Sequence, residues 1–73
     1  MDITVTCGGI TQPLEFPAGA QIGELRAPRG FLDDMGAPET FKFAVNGIQV
    51  EDDHVPAEGD VVTLRPISGE KGA

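Results

Sequence analysis

The chain has 73 residues and a formal net charge of −7, with 5 Lys and Arg against 12 Asp and Glu. That length suffices for one hydrophobic core, and an apolar content of 40% favours a folded domain over a disordered one. The charge balance argues against direct binding to nucleic acid or to an anionic membrane, because both normally require clustered Lys and Arg. A basic protein surface is the electrostatic complement, although acidity also simply keeps small proteins soluble.

Cysteine content and hydropathy exclude further classes of protein. Cys7 is the single cysteine, so the chain cannot form an internal disulfide or hold a ferredoxin-type iron–sulfur cluster, which needs several thiolates. No apolar stretch reaches the roughly 20 residues that span a bilayer. The N-terminus lacks a basic segment followed by an apolar one. We therefore expect a cytoplasmic protein with no membrane attachment.

The N-terminal part predicts a β-hairpin. Residues 2–7 alternate polar and apolar side chains, as a half-buried strand does, and residues 10–16 supply a second strand. Gly8 and Gly9 between them suit a tight turn, because glycine tolerates positive φ. Pro13 has no N–H to donate, so we expect this second strand to lie at a sheet edge or to place Pro13 where no ladder bond is required.

The middle of the chain predicts helical structure with an interruption. Apolar spacing over residues 20–26 is typical of a short helix, and Pro28 and Gly30 then break the pattern. We expect a second turn over residues 31–35. Gly36 follows it and suits a helix end, where a left-handed residue is common.

The next segment predicts a second hairpin. Residues 41–45 (FKFAV) alternate with Phe41, Phe43 and Val45 on one face. Asn46-Gly47 is a strong type I′ turn signal, since both residues accept positive φ, and residues 48–50 return as a short strand.

A turn at residues 58–60 and a strand over residues 61–65 complete the order strand, strand, helix, strand, short strand, strand. This order predicts an α+β fold of the β-grasp type, a mixed sheet of four to five strands covered on one face by one helix. We expect one domain over residues 1–67 and a flexible tail over residues 68–73. The predicted core consists of Ile3, Val5, Leu14, Phe16, Ile22, Leu25, Phe41, Phe43, Val45, Val50, Val62 and Leu64.

Three short motifs in register resemble the small ubiquitin-like sulfur carriers, which include the small subunit of molybdopterin synthase and the thiamine-synthesis carrier. They are VNG at residues 45–47, EGDVV at residues 58–62 and PISG at residues 66–69. The resemblance covers the whole chain in element order and about its last thirty residues in motif. It implies the β-grasp fold and a protein that is carried by larger partners.

The resemblance also implies how the tail is used. Carriers of this family end in a free Gly-Gly, whose carboxylate is adenylated by an activating enzyme and then converted to a thiocarboxylate or an amide. It therefore implies a protein with no catalytic activity, cofactor or metal of its own, monomeric when free. The residues that it marks as the tail site are Pro66, Ile67, Ser68, Gly69, Glu70, Lys71, Gly72 and Ala73.

The chain departs from the family pattern in that tail. Gly69 matches the first glycine, but Glu70 occupies the position of the second, and Lys71-Gly72-Ala73 extends beyond it. Three routes remain open. A processing peptidase trims the tail, a divergent activating enzyme of a bacterial ubiquitination-like system uses it as it stands, or conjugation is lost. The last route leaves a non-conjugated interaction module, as in phage tail assembly or regulation.

Alternation also predicts a partner-binding face. Lys42 and Ala44 point to the sheet face opposite the helix, and Arg65 joins them from the last strand. In ubiquitin-like proteins this face meets partners, and here it leads directly into the tail. The alternative is an ordinary solvated sheet face, which antiparallel sheets tolerate.

Cys7 and His54 each have a functional and a structural interpretation. Cys7 is either a functional thiol or a small packing residue at a strand end, and packing is the commoner case. His54 lies among Glu51, Asp52 and Asp53, but no second histidine or a nearby cysteine completes a metal-ligand set. We predict a solvated loop there, and no catalytic pair, because these acids have no partner nucleophile.

Overall fold

The computed structural model describes residues 1–27, 29–38 and 40–67. Pro28, to which part of the predicted helix break was attributed, and the predicted tail at residues 68–73 lie outside the described residues. The elements in chain order are β1 (Asp2–Cys7), β2 (Ile10–Glu15), a 3₁₀ helix (Ile22–Arg26), α1 (Arg29–Asp34), β3 (Phe41–Val45), β4 (Ile48–Val50) and β5 (Val61–Pro66).

Within the described residues, the five strands form one mixed sheet in the order β2-β1-β5-β3-β4. β1 pairs antiparallel with β2 and parallel with β5, while β3 pairs antiparallel with both β5 and β4. Buried side chains of the 3₁₀ helix and α1 pack against one face of this sheet. The predicted mixed sheet with one covered face is confirmed.

The N-terminal hairpin places β2 at the sheet edge, as Pro13 predicts. The Phe16 N–H donates to the Met1 carbonyl at 2.7 Å, which makes that pair hydrogen-bonded. Alternation along the ladder then makes Thr4 and Pro13 a non-hydrogen-bonded pair. The missing N–H of Pro13 consequently faces the outer edge, where no partner strand is required.

The β3–β4 hairpin closes on the predicted type I′ turn. Asn46 and Gly47 have φ values of 52° and 88°. The Asn46 side chain also donates to Asp60 Oδ1 at 3.2 Å and accepts from the Val61 N–H at 3.1 Å. This turn is therefore tied to the turn that precedes β5, whose Gly59 has a φ of 83°.

The helical segment differs from its prediction in type and bounds. The stretch predicted as a helix over residues 20–26 is a 3₁₀ helix that begins at Ile22, with no side-chain cap from Gln21. Ile22 and Leu25, three residues apart and therefore on one side of a 3₁₀ turn, are both buried. Short 3₁₀ geometry thus suffices to bury the two apolar residues of this segment.

The predicted division into two helical stretches is confirmed, since the 3₁₀ helix ends at Arg26 and α1 begins at Arg29. The assignment of Gly30 to the break is wrong, because Gly30 lies inside the first turn of α1. The predicted helix end at Gly36 is confirmed, with a φ of 69°. The Ala37 N–H donates to the Leu32 carbonyl at 2.9 Å and the Gly36 N–H donates to the Asp33 carbonyl at 3.0 Å, which is a Schellman motif.

The core lies between the sheet and the helical segment. Its buried residues are Ile3, Val5, Cys7, Phe16, Ile22, Leu25, Leu32, Met35, Phe41, Phe43, Val45, Val62 and Leu64. Ten predicted core positions are confirmed by that set. Leu14 and Val50 are only half-buried and pack against it, because they lie on the edge strands β2 and β4. Leu32 and Met35 of the second helical turn and Cys7 complete the core.

Candidate partner-binding surface

The sheet face opposite the helices, called here the open face, has a flat centre. One row crosses all five strands in register and consists of Thr11, Thr6, Thr63, Ala44 and Gln49. These side chains are small or polar, and Thr11 Oγ1 lies 3.3 Å from Thr6 Oγ1. A surface of this kind offers close backbone approach and hydroxyl groups to a partner without a deep pocket.

Two like-charge pairs lie on the open face at opposite ends of the sheet. Lys42 is directly opposite Arg65, and Asp2 is directly opposite Glu15. All four residues are exposed, and neither cation forms an ion pair with another described residue. Like charges facing each other across strands are destabilising. A partner that presents acidic groups at one end and basic groups at the other would relieve both repulsions.

The structure brings the predicted face residues Lys42, Ala44 and Arg65 together. Lys42 and Arg65 are exposed neighbours on adjacent strands. Ala44 lies on the same face, between Thr63 and Gln49, but is only 2% exposed. It therefore forms the floor of the face, and the two cations supply its accessible groups.

The predicted tail site begins inside β5. Pro66 is the last strand residue, opposite Phe41, so the strand runs one residue further than predicted. Ile67 follows and is 50% exposed. The remaining tail residues of the prediction, Ser68 to Ala73, lie outside the described residues. β5 thus leads from the Lys42–Arg65 pair directly to the first residues of the tail.

A groove of about 230 Å³ opens beside this exit. We call it the tail-root groove, and its lining residues are Arg26, Thr40, Phe41, Lys42, Phe43, Gln49, Val50, Glu51, Asp52 and Ile67. The groove lies where the chain leaves β4 after Val50 and turns to the 3₁₀ helix. There the Asp52 and His54 carbonyls accept hydrogen bonds from the Gly23 and Ile22 N–H groups at 2.9 and 2.7 Å.

One wall of the groove is an ion pair stacked on aromatic rings. Arg26 Nε and Nη2 donate to the two carboxylate oxygens of Asp52 at 2.7 and 2.9 Å. The guanidinium carbon lies 4.9 Å from the Phe41 ring centroid and 4.7 Å from that of Phe43. The hydrogen bond from Arg26 lowers the pKa of Asp52 below its ordinary value and raises that of Arg26.

Sequence reasoning missed this wall. Arg26 and Asp52 are 26 residues apart, and neither belongs to a motif that predicts their contact. Gly23 is a partial sequence signal for this contact. Because it has no side chain, the loop at Asp52 can approach the 3₁₀ helix closely. A Cβ there would lie 3.0 Å from both the Cβ and the carbonyl oxygen of Asp52.

The structure places Cys7 in the core, as its packing interpretation predicts, and His54 on the loop between β4 and β5. Cys7 is 8% exposed and belongs to the core. His54 is half-buried, with its N–H donating to the Glu51 carbonyl at 3.1 Å. Within the described ranges, no three His, Cys, Asp or Glu side chains are placed to hold a metal ion. None of the helices described is long and apolar enough to cross a membrane.

Comparison with known proteins identifies the architecture. No family model matches the sequence, and no curated protein matches it significantly. Among solved structures, SAMP1 from Haloferax volcanii is 18% identical with a TM-score of 0.67, over 96% of this chain and 100% of that one. Caldiarchaeum subterraneum ubiquitin is 22% identical with a TM-score of 0.62, over 94% of this chain and 98% of that one. The fold is the ubiquitin-like β-grasp.

These two β-grasp structures align over nearly the whole chain. The likeness is one of fold. It supports the ubiquitin-like β-grasp and does not reach the narrower sulfur-carrier family that the C-terminal motifs resemble.

Proposed function

We propose that this ubiquitin-like domain is a protein modifier or sulfur carrier whose C-terminal tail is presented to an adenylating activating enzyme. One observation carries the proposal most. β5 runs from an exposed cationic pair, Lys42 and Arg65, into Pro66 and an exposed Ile67, so the same end of the molecule holds the face and the tail. A partner docked on the open face therefore receives the tail directly.

The comparisons support this proposal through the neighbours that they name. One is a ubiquitin, and both share the β-grasp over almost their full length with this chain. The motif PISG at residues 66–69, which resembles the carrier ending, begins at Pro66, the last residue of β5. In this function the domain supplies recognition and a carboxylate, while the catalytic groups belong to the activating enzyme.

The chemistry takes place at the terminal carboxylate. A carboxylate oxygen attacks the α-phosphate of ATP, pyrophosphate leaves, and the resulting acyl adenylate is open to a sulfur donor or an amine, with AMP as the leaving group. Glycine suits such a tail because it adds no side chain in a narrow channel. Two routes produce the reactive end, namely trimming by a processing peptidase to Gly69 or use of Ala73 by a divergent activating enzyme. Both place the protein in the cytoplasm, where ATP is available.

The proposal is tested by ATP-dependent reaction in extract of the native host. Purified full-length protein, a variant lacking residues 68–73 and a Lys42→Glu/Arg65→Glu variant are each incubated with extract and ATP. The full-length protein is expected to gain a covalent adduct or a thiocarboxylate. The deletion variant is expected to gain none, and the charge-reversal variant is expected to react more slowly.

A Gln12→Glu variant is the control for added negative charge away from this face, since Gln12 is exposed on the opposite edge strand, although it adds one negative charge and the double reversal changes the net charge by four. It should react like the full-length protein. The competing function is a non-conjugated interaction module, favoured by Glu70 in the place of the second family glycine. An ATP-independent complex that the deletion variant forms equally well would establish that module and overturn the carrier.

A further inference from the structure

The β3–β4 turn contains a reactive dipeptide. Asn46 is the single asparagine of the chain, and a glycine follows it. A backbone nitrogen can attack the side-chain amide of the asparagine before it, and glycine leaves that nitrogen unshielded because it has no side chain. Asn46 and Gly47 are both exposed, so water has access to the turn. Asn46 is therefore a candidate for spontaneous deamidation.

Deamidation of Asn46 needs only water as a co-reactant. The Gly47 backbone nitrogen loses its proton to solvent and attacks Asn46 Cγ, the Cγ–Nδ2 bond breaks, and the nitrogen leaves as ammonia after taking a proton from water. Water then opens the cyclic succinimide at one of its two carbonyls. One product has an aspartate at position 46, and the other has an iso-aspartate, whose side-chain carbon becomes part of the backbone. Either product adds one negative charge to a net charge of −7.

The folded turn opposes ring closure in two ways. Asn46 is left-handed, with a φ of 52°, and left-handed residues have a ψ of about +47°. This ψ turns the Gly47 nitrogen away from the Asn46 side chain, whereas ring closure needs both on the same side. The amide is also held at both ends, because its oxygen accepts from the Val61 N–H at 3.1 Å and its nitrogen donates to Asp60 Oδ1 at 3.2 Å. The turn must therefore open and release both bonds before the ring can form.

Asp60 is fixed in the position where it accepts this bond. Its other carboxylate oxygen accepts from the Ala57 N–H at 2.8 Å. Its backbone N–H donates to the Ala57 carbonyl at 3.1 Å, and its carbonyl accepts from the Thr4 N–H at 3.0 Å. The Val61 N–H can only donate, so it faces the Asn46 oxygen and leaves the amide nitrogen to Asp60. A carboxylate at position 46 has no hydrogen to donate, so after deamidation the bond to Asp60 cannot re-form.

We propose that Asn46 is a self-modification site whose deamidation is held back by its hydrogen bonds to Asp60 and Val61 and, once complete, prevents the first of these bonds from re-forming. The change is one-way, because two carboxylates then face each other between the β3–β4 turn and the turn before β5. The start of β5 is thereby loosened. The proposal does not depend on activation of the tail, so the two can fail separately.

The first test measures the deamidation rate of the full-length protein at neutral pH. Intact-mass spectrometry detects a gain of about 1 Da, and peptide mapping assigns it to residue 46. The reference is acetyl-AVNGIQ-amide, which has the sequence of residues 44–49 and is too short to hold a hairpin. The folded protein is expected to deamidate at least about tenfold more slowly than this peptide, because a local opening must precede ring closure.

Two variants of the turn before β5 test the role of Asp60. Asp60→Ala removes the acceptor of the Asn46 amide and is expected to deamidate about fivefold faster than the native protein, the factor that one ordinary hydrogen bond contributes to an opening equilibrium. Glu58→Ala is the matched control. It removes the same charge from the same turn, but Glu58 accepts from the Asp2 N–H at 3.4 Å. It is expected to deamidate at the native rate.

An exchange of the two side chains tests the effect of the product, and it does not depend on the Asp60→Ala variant being folded. Asn46→Asp reproduces the aspartate product and is expected to have a lower urea midpoint than the native protein. Asn46→Asp combined with Asp60→Asn restores the hydrogen bond with donor and acceptor exchanged. The double variant is expected to recover at least about half of the lost midpoint.

Four results would overturn the proposal. Equal rates in the folded protein and the peptide would show that the turn does not hold the reaction back. Equal rates in Asp60→Ala and Glu58→Ala would remove Asp60 from that role. No conversion of the folded protein and of Asp60→Ala, after the peptide is fully converted, would show that residue 46 is not a modification site. An exchange variant no more stable than Asn46→Asp would contradict the one-way change.

Discussion

Phe43→Ala removes a fully buried aromatic side chain of the core. Phe43 is 0% exposed, packs edge to face with Phe41, and lies 4.7 Å from the Arg26 guanidinium. Deleting a buried phenylalanine costs about 3–5 kcal/mol. The upper half of that range applies here, because an aromatic pair contributes about 0.5–1.5 kcal/mol beyond its buried area.

Domains of this type have unfolding free energies of about 0.05–0.15 kcal/mol per residue, which for 73 residues is about 4–11 kcal/mol. Phe43→Ala is therefore expected to remove between a third and all of the stability. Urea denaturation followed by far-UV circular dichroism measures it, since the chain has no Trp or Tyr for fluorescence. Ile48→Ala on the neighbouring strand, 70% exposed, is the control and is expected to shift stability by less than about 0.5 kcal/mol. A Phe43→Ala midpoint equal to that of the native protein would refute the strand register.

Three further predictions concern Gly23 in the 3₁₀ helix, Asn46 in the β3–β4 turn and Asp52 in the loop after β4. Gly23→Ala drives a Cβ into Asp52 and is expected to cost about 1–3 kcal/mol in the same urea assay. Asn46→Ala loses two hydrogen bonds and places alanine at a φ of 52°, and is expected to cost about 1–3 kcal/mol. Asp52 has a lowered pKa in the folded state, so its stabilising contribution is present at neutral pH and is lost as pH falls through that pKa. At pH 7 the native protein is therefore expected to have a higher urea midpoint than Asp52→Asn. This difference is expected to shrink as the pH falls below 3.8, the ordinary pKa of an aspartate.

Each of these predictions has its own check. Gly9→Ala is the control for Gly23, since a Cβ at Gly9 meets nothing within 4 Å, and equal costs for the two changes would contradict the close approach. Asn46→Gly keeps the positive φ and loses only the hydrogen bonds, so it should cost about 1 kcal/mol, and a loss equal to that of alanine would contradict a backbone contribution. A midpoint difference for Asp52→Asn that grows below pH 3.8 would reverse the assigned direction of the pKa.

The strands and turns were predictable from the sequence because their causes are local. The alternation of polar and apolar residues over 2–7 and 41–45 predicts strands that are buried on one face. The Asn46-Gly47 pair predicts the positive φ values that a type I′ turn needs. Pro13 indicates an edge strand through its missing donor alone, and the structure places β2 there. Gly36 indicates a helix end in the same way.

The groove and the helix type were not predictable, because both depend on contacts between distant segments. The 3₁₀ geometry follows from the docking of Ile22 and Leu25 on the sheet and from the Gly23 bond to Asp52. The Arg26–Asp52 wall follows from that same bond. Alternation assigns Ala44 to the open face but does not predict that it is only 2% exposed.

The state of the C-terminus in cells tests the central claim most directly. The protein is purified from its native host, with neighbouring gene products expressed, and its intact mass is measured before and after treatment with a thiol-reactive reagent. The account predicts a species that ends at Gly69 or Ala73 and carries a sulfur in place of a carboxylate oxygen, or a covalent adduct through that carboxylate. An unmodified full-length mass under every growth condition, together with unchanged partner binding after deletion of residues 68–73, would contradict it.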